Sequence, residues 1–181
     1  MSSVTLDHFY NSVRDIPDFP TPGILFRDIT PLLLDPDLFR QAVEHMATPL
    51  RAQRVDKILA VESRGFILGA PIALTLAAGL VPARKVGKLP WKTRRLEYQL
   101  EYGTDAIEVH LDALHEGDRV AIVDDLIATG GTAEAAVKAV QAAGATLVGL
   151  SVLIELTELE GRARLPSNMG YWKVLAYPHS A

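Results

Sequence analysis

Three short apolar segments constrain the fold of this chain more than any other feature. They are residues 57–61, 119–123 and 147–153, and each is a nearly continuous apolar run. Such runs are typical of parallel strands that helices cover on both faces. Residues 130–143 carry alanine and valine at helical spacing and end at Gly144, which predicts a helical crossover between the second and third strands. The sequence therefore predicts an α/β fold with an open, mostly parallel twisted sheet flanked by helices.

The rest of the sequence predicts further helices within a single domain. Asp35 followed by Pro36 is a typical helix start, and residues 66–78 supply a helix after the first strand. With 181 residues and neither an internal repeat nor a linker-like stretch, the chain is expected to form one domain over residues 1–181. The uncharged stretch 66–83 is long enough to suggest a membrane span, but its prolines and glycines favour a buried helix followed by a strand.

Composition excludes several classes of function. The chain has no cysteine, which excludes disulfides, thiolate metal sites and cysteine nucleophiles. Its net charge of -4 argues against a general nucleic-acid-binding protein. The N-terminus lacks the basic start and the apolar run of a secretion signal, so we expect a cytoplasmic protein. The standard dinucleotide, P-loop, zinc-protease and serine-hydrolase motifs do not occur in the sequence.

The segment after the second strand carries the most specific chemistry. Asp124 and Asp125 follow that strand directly, and a turn at residues 129–132 opens the next helix with two threonines and two glycines. Ligands of open α/β sheets bind at the carboxyl ends of the strands. The turn offers backbone N–H groups to a phosphate, with glycines that let a ligand approach, and the paired carboxylates suit ribose hydroxyls or a hydrated Mg²⁺ ion. The alternative is a solvated acidic turn that caps a helix.

Residues 120–132, VAIVDDLIATGGT, resemble the phosphoribosyl pyrophosphate signature of type I phosphoribosyltransferases. The resemblance implies that Asp124 and Asp125 hold the ribose hydroxyls of the donor, directly or through Mg²⁺, and assist catalysis by offsetting positive charge on the ribose. It also implies that consecutive residues wrap the 5′-phosphate: Ala128, Thr129, Gly130, Gly131 and Thr132. The Mg²⁺ cofactor is then expected to be held through substrate and water near the two acids, with no direct protein ligand assigned.

Two segments are similar to the pyrophosphate-binding parts of the same family. Ser63 and Arg64 follow the first strand, where a plain helix entry is the alternative. Arg84, Lys85 and Lys88 belong to a cluster of bases without any acid, for which a solvated or nucleic-acid-binding face is the alternative. By resemblance these side chains bind pyrophosphate, and Arg64 supplies the forked donors that a diphosphate needs.

Residues 18–29 resemble the hood with which the adenine-specific members of the family cover their base. The resemblance implies that Phe26 stacks on adenine and that Leu126 packs on the opposite face. The backbone around Leu25 and Arg27 would read the edge of the base. A backbone carbonyl there would distinguish the amine of adenine from the carbonyl of hypoxanthine.

Residues 88–103 resemble the flexible catalytic loop of these enzymes, which forms a β-ribbon. Adenine must lose a proton as its N9 bonds to ribose, and a carboxylate near N7 can accept that proton. The resemblance assigns this catalytic role to Glu101. Glu97 lies on the same face of the expected strand and is an alternative. Residues 91–97 match the family only loosely, which leaves the contacts of the closed loop undefined.

Together the motifs imply a purine-salvage enzyme that transfers the phosphoribosyl group of phosphoribosyl pyrophosphate to N9 of adenine, giving AMP and pyrophosphate. A homodimer is expected from the family alone, and neither nucleic acid nor a membrane is expected as a partner. The alternatives are an enzyme for guanine, xanthine, orotate or uracil, and a regulator that keeps the fold without catalysis. The hood, which we expect mainly at residues 15–34, argues for adenine. The C-terminal segment 169–181 receives no functional role.

Overall fold

The computed structural model describes residues 5–99 and 103–178 of the chain. In chain order the helices and strands are α1 (Leu6–Asn11), β1 (Arg14–Ile16), β2 (Phe26–Asp28), α2 (Thr30–Leu34), α3 (Pro36–Arg51), β3 (Lys57–Val61), α4 (Arg64–Leu76), β4 (Gly79–Lys85), β5 (Thr93–Gln99), β6 (Thr104–His110), β7 (Arg119–Ile127), α5 (Gly131–Ala142), β8 (Thr146–Leu156) and β9 (Gly170–Tyr177). Two short 3₁₀ helices, Thr157–Leu159 and Gly161–Arg164, lie between β8 and β9. Across the described part of the chain, no helix combines the length and the apolar character needed to span a lipid bilayer.

The main sheet has seven strands in the order β5-β6-β4-β3-β7-β8-β9. Five strands, β4, β3, β7, β8 and β9, run parallel to one another. β5 and β6 form an antiparallel ribbon, and β6 joins it to the sheet by pairing antiparallel with β4. The predicted open, mostly parallel sheet is therefore confirmed. β3 has the predicted bounds, while β7 and β8 extend beyond the predicted ranges 119–123 and 147–153.

Helices cover both faces of the sheet. α3 and α4 pack with one apolar cluster, and α5 packs with a second cluster that also includes residues of the β5–β6 ribbon. α3 begins as predicted, because the Asp35 carboxylate accepts hydrogen bonds from the backbone N–H groups of Asp37 at 2.9 Å and Leu38 at 3.0 Å. α4 begins at Arg64, earlier than the predicted start at residue 66, and ends at Leu76, two residues before the predicted end at residue 78. Gly79 opens β4, and its N–H donates to the carbonyl of Asp56, the residue before β3, at 2.8 Å.

The N-terminal segment packs against the C-terminal strand β9. β1 and β2 form a small antiparallel sheet of their own. The Arg27 guanidinium on β2 lies 4.3 Å from the centre of the Tyr177 ring on β9 and forms an ion pair with Asp15 on β1. The Tyr10 hydroxyl on α1 donates to the Ala176 carbonyl at 3.1 Å. Since β9 ends at Tyr177, these contacts fix β2 at the carboxyl edge of the parallel strands.

Candidate active site

The carboxyl ends of the adjacent parallel strands β3 and β7 border a cavity of about 340 Å³. Its walls come from the loop after β3, the end of β7 with the start of α5, and one side chain of the ribbon. The lining residues are Val61 to Arg64, Tyr98, Ile122, Asp124 to Ala133, Leu150 and Val152. The structure thus brings together Ser63, Arg64, both predicted acids and the whole predicted phosphate turn.

The two acids sit within β7 rather than after it. Asp125 is only 5% exposed, and its backbone N–H donates to the Asp124 carboxylate at 2.9 Å. Burial raises the pKa of both carboxyl groups, and the charge of Asp125 raises the pKa of Asp124 further. The guanidinium of Arg64 opposes the rise in both cases. A buried carboxylate beside a half-buried one is well suited to bind hydroxyl donors or a cation.

Arg64 joins the acid pair to β2. Its Nε lies 2.9 Å from Asp125 Oδ2 in an ion pair that lacks the angle of a hydrogen bond. Its Nη1 donates to the Arg27 carbonyl at 3.4 Å, and its guanidinium lies 4.8 Å from the centre of the Phe26 ring. One forked cation at the start of α4 therefore contacts both the acids and the strand that carries the predicted base-binding residues.

The phosphate turn, residues 128–132, is called the cradle below. It leads into α5, whose N-terminus favours an anion. Gly130 adopts a left-handed φ of 82°, and a Cβ there would collide with the carbonyl oxygen of Gly161. At Gly131, a Cβ would lie 2.8 Å from Cδ2 of Tyr98. Both positions therefore need glycine because other protein atoms lie where a side chain would be. From the sequence alone, only the approach of a ligand explained these glycines.

Two of the predicted basic residues, Arg84 and Lys85, end β4, and Lys88 follows in the turn after it, which Glu62 holds in place. The Glu62 carboxylate accepts hydrogen bonds from Arg84 Nε at 3.1 Å and from the Lys85 backbone N–H at 2.9 Å. Arg84 Nη1 donates to the Lys88 carbonyl at 2.9 Å. Glu62 lines the cavity, whereas Arg84, Lys85 and Lys88 do not. The turn is thus attached to the cavity wall through Glu62, a residue to which the sequence assigned no role.

Sequence comparison identifies the family. The model for the phosphoribosyl transferase domain matches residues 33–178 of this chain. The adenine phosphoribosyltransferase of Maricaulis maris (strain MCS10) is 55% identical over 155 residues, which are 86% of this chain and 89% of that protein. This chain belongs to the adenine phosphoribosyltransferase family.

Solved structures of the same family have the same fold. The adenine phosphoribosyltransferase of Rhodothermus marinus DSM 4252 is 53% identical, with a TM-score of 0.92 over 95% of this chain and 98% of that one. The Saccharomyces cerevisiae enzyme, complexed with D-2,5-dideoxy-2,5-imino-altritol 1,6-bisphosphate and adenine, is 37% identical, with a TM-score of 0.88 over 94% of this chain and 98% of that one. The predicted family and fold are thereby confirmed.

The residues that family resemblance assigns to the base lie around the edge of the cavity. Leu126 lines it, whereas Leu25, Phe26 and Arg27 do not. Phe26 is half-buried and meets Phe19 edge to face, with ring centres 5.1 Å apart. The side chain of Arg27 is occupied by its contacts with β1 and β9, so its backbone carbonyl is the part of the residue that faces Arg64.

The ribbon contributes a residue that the family resemblance did not predict. Glu101, the predicted proton acceptor, lies outside the described residues. Glu97, its alternative, is exposed and forms an ion pair with Arg95 at 3.2 Å. The next residue, Tyr98, points the other way, is 6% exposed and lines the cavity. The alternation of Leu96 and Tyr98 with polar residues is the sequence signal for this inward-facing position.

Proposed function

We propose that this chain catalyses the transfer of the phosphoribosyl group of phosphoribosyl pyrophosphate to N9 of adenine, with AMP and pyrophosphate as products, as a step of purine salvage. The observation that carries the proposal is a cavity in which a buried acid, Asp125, and a half-buried one, Asp124, lie beside the N-terminus of a helix and a forked cation. A sugar phosphate with a leaving diphosphate matches this combination of groups. The family relatives named for the same activity support it.

The donor would lie along the cradle. Its 5′-phosphate would accept hydrogen bonds from backbone N–H groups and hydroxyl groups of residues 128–132. Its ribose hydroxyls would donate hydrogen bonds to Asp124 and Asp125. As the bond at the anomeric carbon breaks, positive charge develops on the ribose. The two carboxylates would offset that charge from the cavity wall, where partial burial strengthens such an interaction.

The donor set fits a hard cation such as Mg²⁺. Carboxylate oxygens are preferred ligands of Mg²⁺, and the buried Asp125 Oδ2, although ion-paired with Arg64, accepts no hydrogen bond among the described residues. Within those residues no cluster of three or more histidine and acidic side chains could hold a metal by itself. We therefore propose that Mg²⁺ is held near Asp124 and Asp125 with oxygens of the donor and water completing its shell. When bound, it would neutralise charge on the departing diphosphate.

Pyrophosphate would be held by Ser63 and Arg64 from one side and by the turn carrying Arg84, Lys85 and Lys88 from the other. Arg64 can give two N–H donors to one phosphate, which lysine cannot do. Glu62 keeps the turn beside the cavity through its hydrogen bonds to Arg84 and Lys85. This arrangement supplies several positive charges to one anion in a protein whose net charge is negative.

Adenine would enter beneath the hood, residues 15–34. Phe26 would stack on one face of the purine and Leu126 on the other, while the backbone at Leu25 and Arg27 reads the amine edge. We retain Glu101 as the group that accepts the proton lost from the base. The adenine and bisphosphate bound together by the Saccharomyces cerevisiae relative support a base site next to a sugar-phosphate site.

One assay tests this proposal. Pyrophosphate release is measured with Mg²⁺ and phosphoribosyl pyrophosphate, in parallel reactions with adenine, hypoxanthine, guanine and orotate. We expect release with adenine at least about a hundredfold faster than with any other base, since buried polar groups are left unpaired by the wrong base edge. A preference for another base would favour the alternative enzyme, and binding of the donor without turnover would favour the regulator.

We also propose that the chain acts as a homodimer in the cytoplasm. α4 presents Leu74, 84% exposed, and Ile67, 43% exposed, which are two helical turns apart on one face. A second copy of the chain would cover this face. The absence of cysteine fits a reducing compartment. Light scattering tests the dimer: Leu74→Glu should shift the mass from two chains to one, and an unchanged mass would place the interface elsewhere.

A further inference from the structure

The β5–β6 ribbon is packed directly onto the cradle. The Tyr98 ring fills the space that a side chain at residue 131 would need, with Cδ2 2.8 Å and Cε2 3.4 Å from the position of a Cβ at Gly131. The Gln99 carbonyl oxygen lies 3.1 Å from the same position. On the other side of this contact, Arg164 Nη1 donates to the Gln99 carbonyl at 3.3 Å. The first residue of α5 is therefore covered by the end of β5.

The Tyr98 side chain is itself fixed at both ends. Its ring is 6% exposed and belongs to the apolar cluster beneath α5. Its hydroxyl donates to Asp105 Oδ2 at 3.1 Å, a bond across the ribbon to the residue directly opposite in the β5–β6 ladder. Burial raises the pKa of this hydroxyl, and the neighbouring Thr132 side chain opposes that rise. Tyr98 thus connects two strands of the ribbon to two residues at the start of the helix.

We propose that Tyr98 is a positioning residue for the donor: its ring, held against Gly131 and anchored by Asp105, sets the location of the cradle that receives the 5′-phosphate. The inference rests on the proposed function, because it assigns the cradle to the donor. Gly131 has an ordinary φ, so its lack of a side chain is explained by the ring and not by backbone strain. Tyr98 acts through Gly131 and Thr132 and takes no part in the bond-breaking step.

The test is a double-mutant cycle between the two residues. Gly131→Ala places a methyl group against the Tyr98 ring and is expected to raise the KM for phosphoribosyl pyrophosphate about tenfold. Adding Tyr98→Ala to Gly131→Ala makes room for the methyl group and should recover at least half of the loss on a logarithmic scale. The matched control is Leu96→Ala with Gly131→Ala, since Leu96 lies on the same face of β5 without touching Gly131. That pair should recover nothing.

Single substitutions of Tyr98 separate positioning from a general loss of structure. Tyr98→Ala should raise the KM for the donor about tenfold and leave the KM for adenine within about twofold. Tyr98→Phe keeps the ring against Gly131 but loses the hydroxyl that bonds Asp105, so it should raise the KM for the donor less than Tyr98→Ala does, by at most about threefold. Equal changes in both KM values, or a double mutant no better than Gly131→Ala, would overturn the proposal. If Gly131→Ala does not fold, the two Tyr98 variants still decide it.

Calorimetric binding of ribose 5-phosphate distinguishes failure of this inference from failure of the proposed function. The ligand occupies the cradle without any base or diphosphate. If Tyr98→Ala weakens its binding about tenfold while Tyr98→Phe does not, the positioning role holds whichever base the enzyme uses. If both variants bind it like the unmodified protein, the inference is wrong even when adenine is converted normally.

Discussion

The charged residues at the amino ends of the adjacent strands β3 and β7 have different surroundings from those at the carboxyl ends. At the amino ends, Lys57 Nζ lies 2.7 Å from Asp118 Oδ2 and donates to the Ala113 carbonyl at 2.8 Å. The hydrogen bond from Lys57 lowers the pKa of Asp118 despite partial burial. Arg119 also has hydrogen-bond acceptors, because its side chain donates to the Gln53 carbonyl and its backbone N–H donates to the Asp56 carboxylate. These charges stabilise the fold.

At the carboxyl ends the charges oppose folding. Asp125 is buried and its neighbour Asp124 is half-buried, and burial raises the pKa of both. Only Arg64 offers a compensating charge among the contacts described above. Most buried acids in proteins have a complete set of partners, so such an arrangement points to a ligand that supplies the missing interactions. The contrast teaches that one end of the two strands is optimised for stability and the other for binding.

The largest expected effect comes from removing one charge at the carboxyl end. Asp124→Asn keeps the oxygen that accepts the Asp125 N–H but loses the negative charge that faces the ribose. We expect turnover to fall more than about a hundredfold. The ligand-free protein should melt about 2–4 °C higher at pH 7.5, because a buried repulsion is removed. Steady-state kinetics and thermal unfolding of the same preparation check both. A lower melting temperature would contradict the view that this end opposes folding.

A smaller effect is expected from the cation beside the acids. Arg64→Ala removes the forked donor and leaves Asp125 without its ion pair. The specificity constant for the donor should fall about 30-fold, or about 2 kcal/mol, mainly through a higher KM. Arg64→Lys is the control, since it keeps the charge and loses the fork; it should recover only part of the loss. An unchanged KM for phosphoribosyl pyrophosphate would remove Arg64 from the donor site.

The amino end should show the reverse pattern. Asp118→Asn loses a charge-assisted hydrogen bond worth about 1–2 kcal/mol, which corresponds to a melting temperature about 2–6 °C lower. Turnover should stay within about twofold, because the residue lies at the opposite end of the sheet from the cavity. Asp112→Asn, at an exposed acid nearby, controls for the change in net charge. Loss of turnover without loss of stability would show that the two ends are coupled.

The sequence predicted those features of the fold and the site that residues close together in the chain produce. The bounds of β3, the crossover helix and the acid pair all follow from local patterns of apolar and polar residues. β7 was predicted to end at residue 123, where the apolar run stops. In the structure the strand continues to Ile127, since Asp124 and Leu126 still pair with β8 and Arg64 lies against Asp125.

Contacts between distant segments could not be predicted. Tyr98 reaches Gly131 only because the ribbon folds back over α5, and Gly161 reaches Gly130 only because a 3₁₀ helix packs beneath the cradle. Neither contact leaves a periodic signal in the sequence. Similarly, the sequence could not show that the Arg27 side chain packs against Tyr177 of β9 and leaves only the Arg27 backbone to face the site.

The finest test of the contrast is the pH dependence of stability without ligand or metal. The pKa of Asp118 in the folded protein lies below its ordinary value of 3.8, so the unfolded chain binds more protons as pH falls. The stabilising contribution of Asp118 is therefore present above the ordinary value and is lost as pH falls through the folded pKa. The pKa values of Asp124 and Asp125 lie above 3.8, so the folded protein binds more protons, and stability declines as pH rises through the folded values. Melting curves from pH 3 to 8 should therefore show a constant deficit for Asp118→Asn above about pH 5 that closes below about pH 4. For Asp124→Asn the advantage over the unmodified protein should be near zero at low pH and grow by about 2 °C toward neutral pH. Parallel curves for the two variants would mean that both ends carry the same kind of charge balance.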